Sequence, residues 1–389
     1  MKKKYIIFSL VTLVLLVALI TSFNYFKTTN TYIDDSVNNQ TKITKGISMN
    51  LEQTAGAGDY KTVTRSSWPT EGYKFNTELS RCENGGEINW DDINKKVIVT
   101  GNVSDKCYVY FDIWIPSIAA YCTSGTDLAT CVKNFGDQGP SVSNIYIHNS
   151  ALTNGAGDNS YRYAGANPNN YVCFGSEATT CPDANLFRII GVFGDQAKVI
   201  RAKSVGDQPW HTSQVNNWSS SSLNTYLNGE YLTNLGTLAE KIATTTWKVG
   251  GGDEANISFS VPATAYQYEV GSSASTTTVD KKIGLMYVSD YYYGASPSAW
   301  KLVGYNSSDA TKDYRAATST NWLYLGSTEW TISRNSGYTY LAFLVNSAGD
   351  VYYSGYVPVS LAVRPSFNLL SSVKYISGSG SMSDPVRIN

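Results

Sequence analysis

The residues best equipped for chemistry are few and scattered. Six cysteines fall between Cys82 and Cys181, and His148 and His211 are the only histidines. No C-x-x-C occurs, so these residues lack the spacing of a zinc site. An even cysteine count reads instead as disulfides in an oxidising space, although six cysteines allow 15 connectivities. Their clustering suggests local pairs: Cys82 with Cys107, Cys122 with Cys131, and Cys173 with Cys181. Closing a loop of this size stabilises a fold by roughly 3 kcal/mol through the entropy removed from the unfolded chain. His211, in PWHTS, has no cysteine nucleophile beside it, and no G-x-S-x-G appears. It reads as a loop or packing residue, and His148, in IYIHN, as a strand-end residue. Glu329 and Asp313 are acids of the type glycoside chemistry uses in pairs, but isolated acids are usually solvated. GGGDEAN at 250–256 is not a phosphate loop, because no Gly-Lys-Ser/Thr follows. No catalytic residue, metal site or cofactor is assigned.

Aromatic residues offer recognition rather than reaction. NSAGDVYYSGYVPVS near the C-terminus combines Tyr, Ser, Gly and Asn, the composition of antibody contact loops. Tyr gives a large amphipathic contact area at low entropy cost, and the small polar residues adapt their hydrogen bonds. Tyr352, Tyr353 and Tyr356 are therefore the expected ligand contacts, helped by Tyr338 and by Tyr291, Tyr292 and Tyr293. Three consecutive tyrosines cannot point one way in any regular element, so at least one of them is expected at the surface. An ordinary exposed hairpin is the equal alternative for 346–360. Trp322 and Trp330 read as core packing, with sugar stacking as the functional rival. Arg334 and Arg364 read as scaffold residues that bond carbonyls or neighbouring loops.

The elements that must position these residues begin with a long apolar run. No charge appears between Lys4 and Lys27. About 20 apolar residues cross a hydrocarbon core of about 30 Å. Lys2, Lys3 and Lys4 before the run place the N-terminus in the cytoplasm. The expected plan is a tail at 1–4, an uncleaved transmembrane anchor at 5–26 and a stalk at 27–59, with a cleaved signal peptide as the rival to the anchor. The formal net charge of −1 shows no basic stripe, which argues against nucleic acid. Charged residues make up 16% of the chain, against about 25% in typical soluble domains. Tyr, Gly and neutral polar residues take their place, as suits an extracellular surface.

Residues 60–115 alternate in the β manner, as in KKVIVTGNV and KCYVYFDIWI, and predict a small all-β sandwich. A connector at 116–141 holds one short helix over DLATCVKNFG, capped by Thr126. Beyond it NLFRIIGVFGDQAKVIRA predicts a hairpin bent at Gly-Asp. SSSSLNTYLNG and NLGTLAEKIATTTW predict two helices, the first ended by Gly229. A short helix over DYYYGAS is capped by Ser289. NWLYLGSTEWTISRN, YLAFLVN, GDVYYSGYV and LAVRPSFNLL predict the closing strands.

LFRIIGV, LNTYLNGEYL, IGLMYVSDYYYGAS, EWTISRN and AVRPSFNL, taken together over about 142–389, resemble a family of bacterial extracellular domains. That family is in turn similar to the C-type-lectin-like superfamily, which includes formylglycine-generating-enzyme-like domains. The segment around Cys82 and Cys107 resembles a juxtamembrane β module of bacterial surface proteins. The resemblance implies an α+β, C-type-lectin-like domain with a mixed antiparallel sheet and two helices over 142–389. It does not carry over the calcium chemistry of sugar-binding lectins, because DQPWHTS lacks the carboxylate that their loop requires. Nor does it carry over formylglycine chemistry, since no cysteine follows Cys181. The expectation is an adhesin-like recognition protein, single-pass in a bacterial cell membrane with its bulk outside. A protein or a glycan is the expected ligand. An envelope-acting enzyme and a structural envelope protein are the alternatives.

Overall fold

The computed structural model describes residues 47–389 apart from 55–56, 64–68, 70–71, 92–95, 101–104 and 115. The expected tail, anchor and most of the stalk lie outside the described residues. Among those described, no helix is long and apolar enough to cross a membrane. The chain is mixed α+β and divides into two units, the second running Pro116–Asn389.

In the first unit, Cys107–Ile113 is the central strand. It pairs parallel with Ile47–Glu52 and antiparallel with Tyr73–Phe75 and Arg81–Cys82. Its alternating burial puts Cys107, Val109 and Phe111 inside, as a period of two requires. The hairpin Glu87–Asp91/Lys96–Thr100 lays Trp90 edge-on against Phe111, with ring centroids 5.0 Å apart. Ile47–Glu52 was expected in the stalk. It belongs to the sheet instead, because Ile47 and Met49 supply part of this small core. Cys82 and Cys107 face each other across the pairing and are joined.

The second unit starts earlier than position 142. The helix Leu128–Gly136 buries Leu128, Cys131, Val132 and Phe135 in the main core, at the spacing of one helical face. The expected connector is thus part of the domain. Asp127, rather than Thr126, precedes the helix as its N-cap residue. The expected hairpin forms from Leu186–Phe193 and Gln196–Arg201, with Gly194 at φ 63° in the turn. It lies at the centre of a nine-stranded sheet that also holds Tyr161–Tyr163, Tyr171–Cys173, Ser366–Asn368 and Val386–Ile388. Gly191 stands where this strand turns to pair with Tyr161–Tyr163; a Cβ there would collide with the Tyr161 carbonyl.

A second sheet has the order Asp207–Pro209, Ser360–Ala362, Glu329–Arg334, Leu341–Val345 and Val351–Tyr356, leaving the last strand at its edge. NWLYLGSTEWTISRN becomes a strand only from Glu329. The two expected helices after position 220 are resolved differently. The first is capped by Ser221, and instead of ending at Gly229 it runs through to Asn234 by way of a π turn. The second shortens to a 3-10 segment, Gly236–Lys241. A helix Pro262–Glu269 forms where none was expected. The helix Val288–Gly294 packs against it and against strands of both sheets, including Tyr161–Tyr163 and Glu329–Arg334.

Candidate functional site

Tyr291, Tyr292 and Tyr293 are not surface residues. Every residue of Val288–Gly294 is buried, because both sheets and a second helix surround it. An α-helix can present three consecutive rings in three directions and still bury them all when every side is covered. Each hydroxyl then needs an internal acceptor. Tyr291 donates to the Gly349 carbonyl at 2.7 Å, Tyr292 to Ile257 at 2.8 Å and Tyr293 to Asn154 at 3.2 Å. Burial raises all three phenols above their ordinary range. These rings are core, and the expectation of an exposed one is corrected.

The other expected contacts separate into two groups. Tyr338 and Tyr356 are 41% and 38% exposed, and Tyr340, which sequence reasoning missed, is 41% exposed. Their rings form a chain, with centroids 6.1 Å apart from Tyr338 to Tyr340 and 6.2 Å from Tyr340 to Tyr356. The support beneath them is rigid. Buried Asn216 donates to the carbonyls of Asn335, Tyr338 and Leu341, which fixes the loop carrying Tyr338. Asn335 in turn donates to the Tyr353 carbonyl at 3.0 Å. Tyr352 and Tyr353 are half-buried and pack on the main core. Above them Phe259, 44% exposed, meets Tyr353 edge-on at 5.2 Å, and Tyr305 meets Tyr352 at 5.6 Å. Phe259 follows a short helix whose N-cap, Asp253, accepts from the Asn256 amide. Its single phenylalanine in a polar stretch carried no periodic signal.

A second feature was not anticipated at all. Arg162, Lys198, Glu269 and Asp290 are buried together. Asp290 Oδ2 lies 2.5 Å from Lys198 Nζ, and Oδ1 lies 3.5 Å from Arg162. Arg162 also binds Asp158 at 2.6 Å. Aromatic rings enclose the cations: Lys198 lies 4.6 Å from the Tyr287 ring centroid and 5.3 Å from that of Trp247, while Arg162 lies 4.6 Å from that of Phe193. Burial pushes the Lys198 ammonium down, and Asp290 opposes that. Burial pushes Asp158 up, but Arg162 and the Ser160 hydrogen bonds outweigh it and bring the carboxyl down to about 2. Glu269 accepts from the amides of Val288 and Ser289 and from the Ser333 hydroxyl, yet burial still raises it. A cleft of about 240 Å³ opens onto this group. The available signal was a lone charge inside an apolar run, as in AKVI and in YRY.

The remaining candidates are scaffold. Glu329 is engaged by Arg364 and Asp313 by Arg315, so the two acids are each ion-paired. Arg334 donates to the Gly250 carbonyl at 2.8 Å. Trp322 and Trp330 are buried, and their indole N–H groups donate to Tyr163 and Gln208 carbonyls. His148 directly follows the strand Ile145–Ile147, at its end as expected, and is buried against Tyr293 and Trp300. His211 is half-buried and accepts from the Ser213 amide. All three expected disulfides are present, with Cα separations of 4.0 Å for Cys82–Cys107, 5.1 Å for Cys122–Cys131 and 5.8 Å for Cys173–Cys181. Asp105 lies close to Cys82 and Cys107, but sulfur held in a disulfide offers a metal no thiolate. No family model, no curated protein and no solved structure matches this chain.

Proposed function

We propose that this chain is a membrane-anchored recognition protein of a bacterial surface, adhesin-like, which meets a protein or glycan ligand through the rings of Tyr338, Tyr340 and Tyr356. In this reading residues 5–26 are the anchor and the second unit is a C-type-lectin-like domain. One observation carries the proposal: three neighbouring tyrosines, each more than a third exposed, stand on a rim that buried Asn216 and Asn335 hold in place. Rigid aromatic groups lose little entropy on binding, and their support keeps that cost low. Phe259 and Tyr305 meet the half-buried Tyr353 and Tyr352 of the edge strand that carries Tyr356, and the four rings form a second aromatic group. An enzyme reading draws less support, because the acids considered for catalysis are occupied by Arg364 and Arg315.

The test compares the full chain with a Tyr338→Ala/Tyr356→Ala variant on a glycan array and a surface-protein array. The wild type should bind at least one probe, and the variant should lose about 30-fold in affinity at an unchanged melting temperature. A wild type that binds nothing, or a variant that binds as well as the wild type, overturns the proposal.

A further inference from the structure

We infer that the cleft above Lys198 and Asp290 is a binding site for one neutral sugar ring. It is a site separate from the Tyr338–Tyr356 rim and does not depend on that reading.

Size comes first. Pockets for drug-sized ligands measure about 300–1,000 Å³, so a cleft of about 240 Å³ suits a smaller ligand, of one ring. Its charge then excludes two classes. Arg162 and Lys198 are already matched by Asp158 and Asp290. Beside these pairs an added cation would face two buried cations and an added anion two carboxylates, while the third cation, Lys248, donates to the Gly271 carbonyl. A neutral ligand leaves those pairs intact.

The polar groups left over call for hydroxyls. Asn368 stands opposite Lys198 across the strand pairing, so both side chains share one face of the sheet. The Asn368 amide nitrogen donates to the Thr245 hydroxyl at 3.1 Å, while its oxygen is buried with no hydrogen-bond partner. Turning the amide over would exchange donor for acceptor and leave one atom unengaged either way. Such a buried orphan destabilises the site until something bonds it. Only a ligand group that both donates and accepts meets the orphan in either orientation, and a hydroxyl is that group. At the mouth stand Thr246 and Lys248, which add further polar groups.

The walls supply the apolar half. Phe193, Tyr266 and Tyr287 line the cleft and are half-buried, so part of each ring is open to it. A pyranose carries hydroxyls around its edge and C–H groups on its faces. That combination matches polar groups on the floor and aromatic rings at the sides.

The test uses the full chain and titrates neutral hexoses and N-acetylhexosamines, a uronic acid, an amino sugar and inorganic phosphate, read by calorimetry. At least one neutral sugar should bind saturably, and the charged probes should bind about tenfold more weakly or not at all. Asn368→Leu removes the unengaged amide and should weaken the sugar by up to about tenfold. Should Asn368→Leu fail to fold, Thr246→Trp, at an exposed position on the rim, fills the mouth and should abolish binding at an unchanged melting temperature. The Tyr338→Ala/Tyr356→Ala variant should bind the sugar as the wild type does. Absence of binding by every neutral sugar, equal binding of charged probes, or binding that survives Thr246→Trp overturns the inference. Loss of sugar binding in the tyrosine variant alone would assign the sugar to the rim and overturn it as well.

Discussion

Arg364 grips Glu329 with two prongs inside the core: Nε donates to Oε2 at 2.7 Å and Nη2 to Oε1 at 2.6 Å. Nη2 also reaches the Leu323 carbonyl at 2.6 Å. The planar fork matches the carboxylate, and the pair ties the start of Glu329–Arg334 to the chain after Ser360–Ala362. Burial raises the Glu329 carboxyl, and Arg364 opposes that. Arg364→Ala should therefore destabilise the protein by about 3–5 kcal/mol, since it leaves a buried carboxylate without its countercharge. Arg364→Met combined with Glu329→Met should cost less than the single alanine. Urea unfolding of the three proteins checks this; a harmless Arg364→Ala would mean that Glu329 is not ionised in the fold.

Aromatic residues should divide by burial. Phe367 is fully buried between Phe174 and Phe187, so Phe367→Ala should cost about 3–5 kcal/mol. Tyr292→Phe leaves the Ile257 carbonyl without its donor and should cost about 1–3 kcal/mol. Tyr352→Ala with Tyr353→Ala should fall between those limits and an unchanged protein, because these rings are half-buried on the core. Thermal melts rank these three variants together with Tyr338→Ala/Tyr356→Ala, which should lie nearest the wild type.

Acid should destabilise the fold through His148. Its Nδ1 accepts from the Ala156 amide at 3.0 Å, so the proton of the neutral ring sits on Nε2. Burial pushes its pKa down to about 2, helped by Arg162. The unfolded histidine takes a proton below about pH 6.5, while the folded one stays neutral. Stability from this group is thus complete above about pH 6.5 and is lost as pH falls toward 2, at up to about 1.4 kcal/mol per pH unit. Asp158, also lowered to about 2, adds to the loss below about pH 4. His148→Gln should be less stable at pH 8 yet lose less between pH 6.5 and 4.5. Guanidinium midpoints at three pH values decide; parallel curves would clear His148 of the effect.

The three disulfides should appear as local links in a non-reduced digest, Cys122 with Cys131 among them. Reduction should lower stability by roughly 3 kcal/mol per closed loop. A peptide linking Cys107 to Cys122 or to Cys173 would refute the observed pairing.

The apolar run at 5–26, proposed as the anchor, lies outside the described residues, so its test is topological. Protease added to wall-stripped cells should remove nearly the whole chain. Survival of the C-terminal unit until the membrane is opened would refute the external orientation.

Local pattern by itself determined a good part of this protein. Cysteines 8, 9 and 25 residues apart pair with each other because short loops cost little to close. The helix Leu128–Gly136 and the hairpin at Gly194 follow from spacing and turn residues a few positions apart. Burial of Trp322 and Trp330 and the scaffold role of Arg364 follow from residue type. What the pattern could not contain is the neighbour brought from far along the chain. Three tyrosines on one helix could have been surface or core; two sheets closing over Val288–Gly294 made them core. Lys198 and Asp290 are 92 positions apart and meet only because that helix packs against Tyr161–Tyr163, a strand of the sheet that also holds Gln196–Arg201. Tyr340 joins Tyr356 only because Leu341 is the register partner of Tyr356. Periodicity reports which face of an element is apolar, whereas the order in which strands and helices pack decides what that face meets.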